Sequence, residues 1–148
     1  MYKRILVPVD GSDTSKRALQ AALQLARESG GQVRLLHVLD DLAYLTGYEY
    51  VGDVLKIAHE YAGKVVAEAQ AIAVSAGVPA EARLLEAPGK RLGDVVADEA
   101  RDWGADLVVV GTHGRRGLGR ALLGSGAEQV IRMAPVPVLS VRSSETSD

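Results

Sequence analysis

Five short apolar runs alternate with four segments of helical periodicity, and this alternation limits the possible folds more than any other feature of the sequence. The apolar runs lie at 5–9, 33–39, 80–85, 106–111 and 136–141. Apolar residues recur at helical spacing over 18–26, 54–76, 92–103 and 125–133. Strands that alternate with helices form parallel sheets covered on both faces. We therefore predict an α/β fold, a single doubly wound domain with a five-stranded parallel sheet.

The order of the strands follows from the right-handed crossovers of such units, which leave few topologies. The commonest nucleotide-binding wiring has the order 3-2-1-4-5. In that order the first and fourth strands are neighbours, and the chain changes direction between them. Ligands of such sheets bind in the crevice at the carboxyl ends of these two strands. Here those ends are Val9-Asp10 and Val110-Gly111.

Composition and charge exclude several classes of function. The chain has 17 Lys and Arg residues against 19 Asp and Glu residues, so it lacks the basic excess typical of nucleic-acid binding. It has no cysteine, which excludes disulfide scaffolds, zinc fingers and thiol catalysis. No stretch reaches the roughly 20 apolar residues of a membrane span, and the N-terminus lacks a signal-peptide core. We expect a cytoplasmic protein that binds neither nucleic acid nor membranes.

A glycine-rich segment follows the fourth strand. Two residues separate Gly111 from Gly114, and nine residues separate Gly114 from Gly124, which is followed by Ser125. Glycines let successive N–H groups point at an anion, and a helix that opens at Ser125 would direct its positive end at phosphate. Arginines at 115, 116 and 120 add positive charge to the segment. This pattern favours a phosphate-binding loop.

Other interpretations of this segment stay open. It could be a plain strand–helix connection in which Ser125 and Glu128 form a capping box. His113 could contact phosphate or could be a solvated loop histidine.

The P-loop signature is absent because Gly89-Lys90 is followed by arginine, and the dinucleotide fingerprint lacks its third glycine at Leu122.

Asp10 ends the first strand at the predicted crevice. Its carboxylate could hold a ribose hydroxyl, or a Mg²⁺ ion that bridges phosphates. Alternatively, it could form an Asx turn with Gly11. His37 lies in the second strand, where a histidine is most often a satisfied core residue. No cluster of His, Asp and Glu has the spacing of metal ligands, and no catalytic Ser–His–Asp set can be identified.

The spacing G-x2-G-x9-G-[S/T] after a buried strand resembles the ATP-binding signature of the universal stress protein family. The resemblance covers nearly the whole chain. The segments that carry it are ILVPVDGSDTSKRALQAALQLA, LLHVL and GADLVVVGTHGRRGLGRALLGSGAEQVIRMAPVPVLSVR. One departure is Gly126, where family members more often have an apolar residue. Glycine there would loosen the start of the last helix or open room beside a ligand.

The resemblance implies a site for ATP with Mg²⁺, in which Asp10 acts on the metal indirectly through the phosphates. It places Pro8 and Val9 along the base or sugar, and the main chain of Val38 at the adenine edge. The nucleotide-binding residues expected on these grounds are Pro8, Val9, Asp10, Val38, Gly111, His113, Gly114, Arg115, Arg116, Gly124, Ser125 and Gly126.

The function implied is a regulatory or protective role in the stress response, with ATP bound and no catalytic residues. No recognisable motif places a general base opposite the phosphate loop, which argues against an enzyme. Two alternatives remain. One is a slow ATPase or phosphotransferase on the same fold, and the other is a protein-interaction module that does not use nucleotide.

The last strand, 136–141, comes at a sheet edge in the predicted order. Its apolar edge offers unpaired N–H and C=O groups to another chain. Two copies can pair such edges around a two-fold axis, and the resemblance also implies a homodimer through this strand. Alternatively, the tail or a loop could cover the edge. We expect residues 1–142 to form the nucleotide-binding domain and 143–148 a flexible polar tail.

The tyrosines at 44, 48 and 50 could form a lid, a partner surface or simple loop packing.

Overall fold

A computed structural model describes residues 1–39, 51–87, 89–112 and 125–142. The chain alternates between strands and helices throughout these ranges. In order, the elements are β1 (Arg4–Pro8), α1 (Asp13–Ser29), β2 (Gln32–Leu39), α2 (Val51–Ala76), β3 (Ala80–Glu86), α3 (Leu92–Trp103), β4 (Leu107–Gly111), α4 (Ser125–Met133) and β5 (Val138–Val141).

The five strands form one sheet in the order β3-β2-β1-β4-β5, and every neighbouring pair is parallel. This arrangement confirms the predicted fold class and the predicted strand order. The reversal of chain direction therefore falls between β1 and β4, and their carboxyl ends are the expected place for a ligand.

Successive residues of β1 point to opposite faces of the sheet, and each face has its own apolar core. Ile5 and Val7 pack with apolar residues of α1 and α2 on one face. Leu6 packs with residues of α3 and α4 on the other. All three of these side chains are fully buried. This explains why β1 is a continuous apolar run rather than an alternating one.

The ends of α1 follow the sequence signals. Ser12 is the N-cap, and its hydroxyl accepts a hydrogen bond from the N–H of Ser15 at 3.2 Å. The helix ends at Gly30, whose φ of 73° lies in the left-handed region that favours glycine. The cap at Ser12 fixes where the chain turns as it leaves β1, next to the predicted crevice.

The second helix differs from the sequence-based expectation. The helical spacing predicted a helix over 54–76, but α2 already begins at Val51. Gly52 falls in the first turn, where N–H groups have no intrahelical partner, so it does not prevent a helix that tertiary packing stabilises. The three tyrosines at 44, 48 and 50 lie outside the described residues, as does the tail at 143–148.

Candidate nucleotide site

The hydrogen-bonded pairing of β1 with β4 stops short of their carboxyl ends. Among the described residues it ends at Leu6 opposite Val108. Pairing of β1 with β2 continues to Pro8 opposite Leu36. The next N–H, that of Val9, donates to the Leu36 carbonyl at 2.8 Å. Because amide directions alternate along a strand, the nitrogen of Pro8 faces β4, where it has no proton to donate. The two strands therefore part at the topological switch point.

Asp10 lies at this opening, half-buried, in a well-defined turn. Its N–H donates to the Ser15 hydroxyl at 3.1 Å, and its Oδ1 accepts the N–H of Ser12 at 2.9 Å. The second contact is the Asx turn foreseen as an alternative interpretation. The turn uses the carboxylate only as an acceptor of an N–H, which is compatible with a further role towards a ribose or a metal ion.

His37 reaches the same segment from β2. Its Nδ1 lies 2.7 Å from the carbonyl oxygen of Val9, and its side chain is buried. Because a carbonyl only accepts, Nδ1 carries the proton and donates. The structure thus confirms His37 as a satisfied core residue, and it also shows that its partner is the main chain directly before Asp10.

Tyr61 of α2 also contacts this turn. Its hydroxyl donates to the carbonyl oxygen of Asp10 at 3.0 Å. A Cβ atom on Gly11 would lie only 2.7 Å from that hydroxyl, and Gly11 has a φ of +86°. Glycine is therefore required for both the backbone conformation and the close approach of α2. Tyr61 was not predicted as a site residue from the sequence, since no motif connects it to a turn about fifty residues earlier in the chain.

Gly111 ends β4 directly against the start of α1. A Cβ atom there would lie 2.8 Å from the carbonyl carbon and oxygen of Thr14. The first glycine of the motif therefore has a packing role that the spacing did not reveal. The next residue, Thr112, is buried, and its N–H donates to the Val141 carbonyl at 3.0 Å. The amino end of α1 and the carboxyl end of β4 thus border the same opening.

Similar proteins identify the family to which the chain belongs. A model described as the universal stress protein family matches residues 1–142. The chain belongs to this family. A universal stress protein of Thermus aquaticus, from the QAH/OAS sulfhydrylase 3′ region, is 37% identical and covers 96% of this chain and 100% of its own.

Two solved structures of similar proteins contain an adenine nucleotide. A universal stress protein in complex with cAMP is 31% identical, with a TM-score of 0.71 and coverage of 97% of this chain and 99% of its own. The universal stress protein of Archaeoglobus fulgidus in complex with dAMP is 30% identical, with a TM-score of 0.69 and coverage of 95% and 98%.

The remaining expected site residues of this universal stress protein divide into two groups. Val38 is half-buried in β2, and α4 begins at Ser125 as predicted. A Cβ on Gly126 would lie 3.0 Å from Cδ2 of Leu92, so the absence of a side chain there lets α3 and α4 approach closely. The others, His113, Gly114, Arg115, Arg116 and Gly124, lie outside the described residues.

The described residues contain no group of three or more His, Cys, Asp or Glu that could ligate a metal ion. None of the helices in the described ranges is both long and apolar enough to cross a membrane. A groove of about 510 Å³ lies between α1 and α2 and is lined by Gln20, Leu23, Gln24, Arg27, Glu28, Ile72 and Ala76. It shares no residue with the predicted site.

Proposed function

We propose that this universal stress protein binds an adenine nucleotide, ATP with Mg²⁺, in the crevice between the carboxyl ends of β1 and β4. The observation that carries the proposal is the separation of these strands beside a fixed Asp10. We further propose that the protein has a regulatory or protective role in the stress response. It would act in the cytoplasm as an ATP-binding protein rather than as an enzyme.

The positions of individual residues at the ends of these strands allow a role to be proposed for each. We propose that Pro8 and Val9 lie along the base or sugar, with the main chain of Val38 beside the adenine. Gly111 would lie opposite them at the end of β4, and the amino end of α4 at Ser125 would direct its positive dipole at phosphate. The phosphate contacts of His113, Gly114, Arg115, Arg116, Gly124 and Gly126 are proposed from the motif alone.

The chemistry of the side chains fits a metal ion that arrives with the nucleotide. Mg²⁺ is usually held by one or two carboxylates together with substrate phosphates and water. Asp10 supplies one carboxylate at the end of β1. Asp10 would orient the ion through the phosphates, and the ion would neutralise phosphate charge.

The adenine base has independent support from similar proteins, since two of them carry dAMP or cAMP. The nucleotides named for these two complexes are both monophosphates. Mass spectrometry of nucleotide carried through purification distinguishes the candidate functions. Intact ATP supports the proposal, ADP or AMP supports the slow ATPase or phosphotransferase, and the absence of nucleotide supports a protein-interaction module.

Calorimetry of Mg-ATP binding to the wild type and to Asp10→Asn tests the site itself. Asparagine keeps an oxygen that accepts the Ser12 N–H, so the turn survives while the negative charge is lost. We expect saturable binding to the wild type and about tenfold weaker binding to the variant, since charge-assisted contacts are worth about 1.5–3 kcal/mol.

Asp98→Asn is the matched control because Asp98 is an exposed residue of α3 that pairs with Arg101 and Lys90. It makes the same change in net charge, and we expect wild-type affinity. Equal affinities of the wild type and a folded Asp10→Asn protein would remove Asp10 from the site, and the absence of binding to the wild type would refute nucleotide binding.

A further inference from the structure

We infer that Tyr61 is a positioning residue of the nucleotide site, and that nucleotide binding is thereby coupled to the seating of α2 on the sheet. The inference rests on the proposed nucleotide-binding function. The motif includes no residue of α2, so the spacing of glycines gives this helix no role at the site.

Two side chains hold consecutive carbonyl groups where β1 ends. The Tyr61 hydroxyl donates to the Asp10 carbonyl at 3.0 Å, and His37 Nδ1 donates to the Val9 carbonyl at 2.7 Å. The N–H and carboxylate of Asp10 are held locally by Ser15 and Ser12. Every main-chain polar group of Asp10 therefore has a partner, and Tyr61 is the one partner among these that comes from α2.

Gly11 shows how closely α2 and the turn are fitted together. A Cβ at this position would lie 2.7 Å from the Tyr61 hydroxyl and 3.2 Å from Cγ2 of Val65. The φ of +86° also disfavours any residue with a side chain. A shift of α2 towards the sheet would therefore displace the turn that carries Asp10, and a shift away would break the Tyr61 hydrogen bond.

The two donors differ in what they connect. His37 belongs to β2, the strand next to β1, so its bond lies within the sheet. Tyr61 belongs to a helix that packs on one face of the sheet through residues such as Val65 and Ala69. The packed position of α2 would strengthen nucleotide binding through Tyr61 by some free energy of coupling. Because coupling is reciprocal, bound nucleotide must stabilise the packed position of α2 by that same free energy.

The test combines Mg-ATP calorimetry with hydrogen–deuterium exchange on the wild type, Tyr61→Phe and Tyr2→Phe. Phenylalanine keeps the ring and removes only the hydroxyl. Tyr2 is the matched control because it is also partly buried against the same core, but it precedes β1 at the opposite end of the strand. We expect Tyr61→Phe to bind Mg-ATP about threefold more weakly or worse, and Tyr2→Phe to bind as the wild type does.

Exchange separates a positioning role from a merely structural one. Nucleotide should slow amide exchange over 58–65 of α2 in the wild type and in Tyr2→Phe, but much less in Tyr61→Phe. A purely structural tyrosine would lower the melting temperature of the variant and leave both its affinity and its nucleotide-dependent protection unchanged. That result overturns the inference while the proposed function stands. A wild type that binds no Mg-ATP would instead refute the proposed function, and the inference with it.

Discussion

Asp10 shows how a single residue serves both local structure and a ligand site. The residue types alone allowed either an Asx turn or a carboxylate that faces a nucleotide. The structure contains the turn, through the 2.9 Å contact of Oδ1 with the Ser12 N–H. Because a carboxylate has about four lone-pair sites, the turn leaves it able to interact further. The two interpretations therefore describe one side chain.

A second residue-scale feature is a charged cluster around Trp103, on the face covered by α3. Arg34 lies over the Trp103 ring at 4.8 Å and donates to buried Glu99 at 2.6 Å. Its Nε also donates to Glu81 at 3.0 Å. Partial burial disfavours the charged guanidinium, but the hydrogen bonds and charges of both carboxylates outweigh it and raise the pKa of Arg34. The cluster ties α3 to β2 and β3.

We expect Glu99→Gln to lower the free energy of unfolding by about 1–3 kcal/mol, because Arg34 loses its buried charged acceptor. Denaturant unfolding measures the change. Asp98→Asn, one residue earlier, is the control, since its ion pairs are exposed and an effect within about 0.5 kcal/mol is expected. Equal effects of the two variants would contradict a stabilising role for the buried pair.

At the scale of elements, two glycines within helices have opposite surroundings. A Cβ atom on Gly93 of α3 would lie 2.6 Å from Cβ of Gln129 in α4 and 2.9 Å from the Gln129 backbone. A Cβ atom on Gly63 of α2 would have no atom of another described element within 4 Å. We expect Gly93→Ala to destabilise the fold by about 1–3 kcal/mol through overpacking. Gly63→Ala should stabilise it by up to about 1 kcal/mol through helix propensity. Thermal unfolding of both variants tests the pair, and a stabilising Gly93→Ala would refute the close α3–α4 contact.

Most elements were predictable because each has a regular apolar period and a clear end signal. The bounds of α3 and α4 agree with the sequence, and Gly104 ends α3 in the left-handed conformation. The start of α2 was missed because a glycine and several tyrosines looked like a loop. The contact of Tyr61 with Asp10 was missed for a different reason. It joins residues that only the tertiary fold brings together, and local patterns carry no information about it.

At the scale of the whole molecule, the two edges of the sheet differ in character. The β3 edge is lined by charged residues, with Glu81, Arg83 and Glu86 among its seven positions. The β5 edge has four residues and no charge, and Leu139 is 41% exposed. Charged side chains protect a sheet edge against pairing with another chain. The apolar edge is therefore the one suited to a second copy of the chain.

We propose that two copies pair through β5 and predict that a proline on its outward side abolishes the dimer. The carbonyls of Pro137 and Val141 accept N–H groups from the β4 side, so by alternation the N–H of Ser140 points outward. Ser140→Pro removes an outward donor and should yield a monomer by light scattering. By the same alternation, the N–H of Leu84 points outward from the β3 edge. Leu84→Pro is therefore the matched control, and this variant should remain a dimer. A monomeric wild type, or a folded Ser140→Pro protein that remains dimeric, would refute pairing through β5.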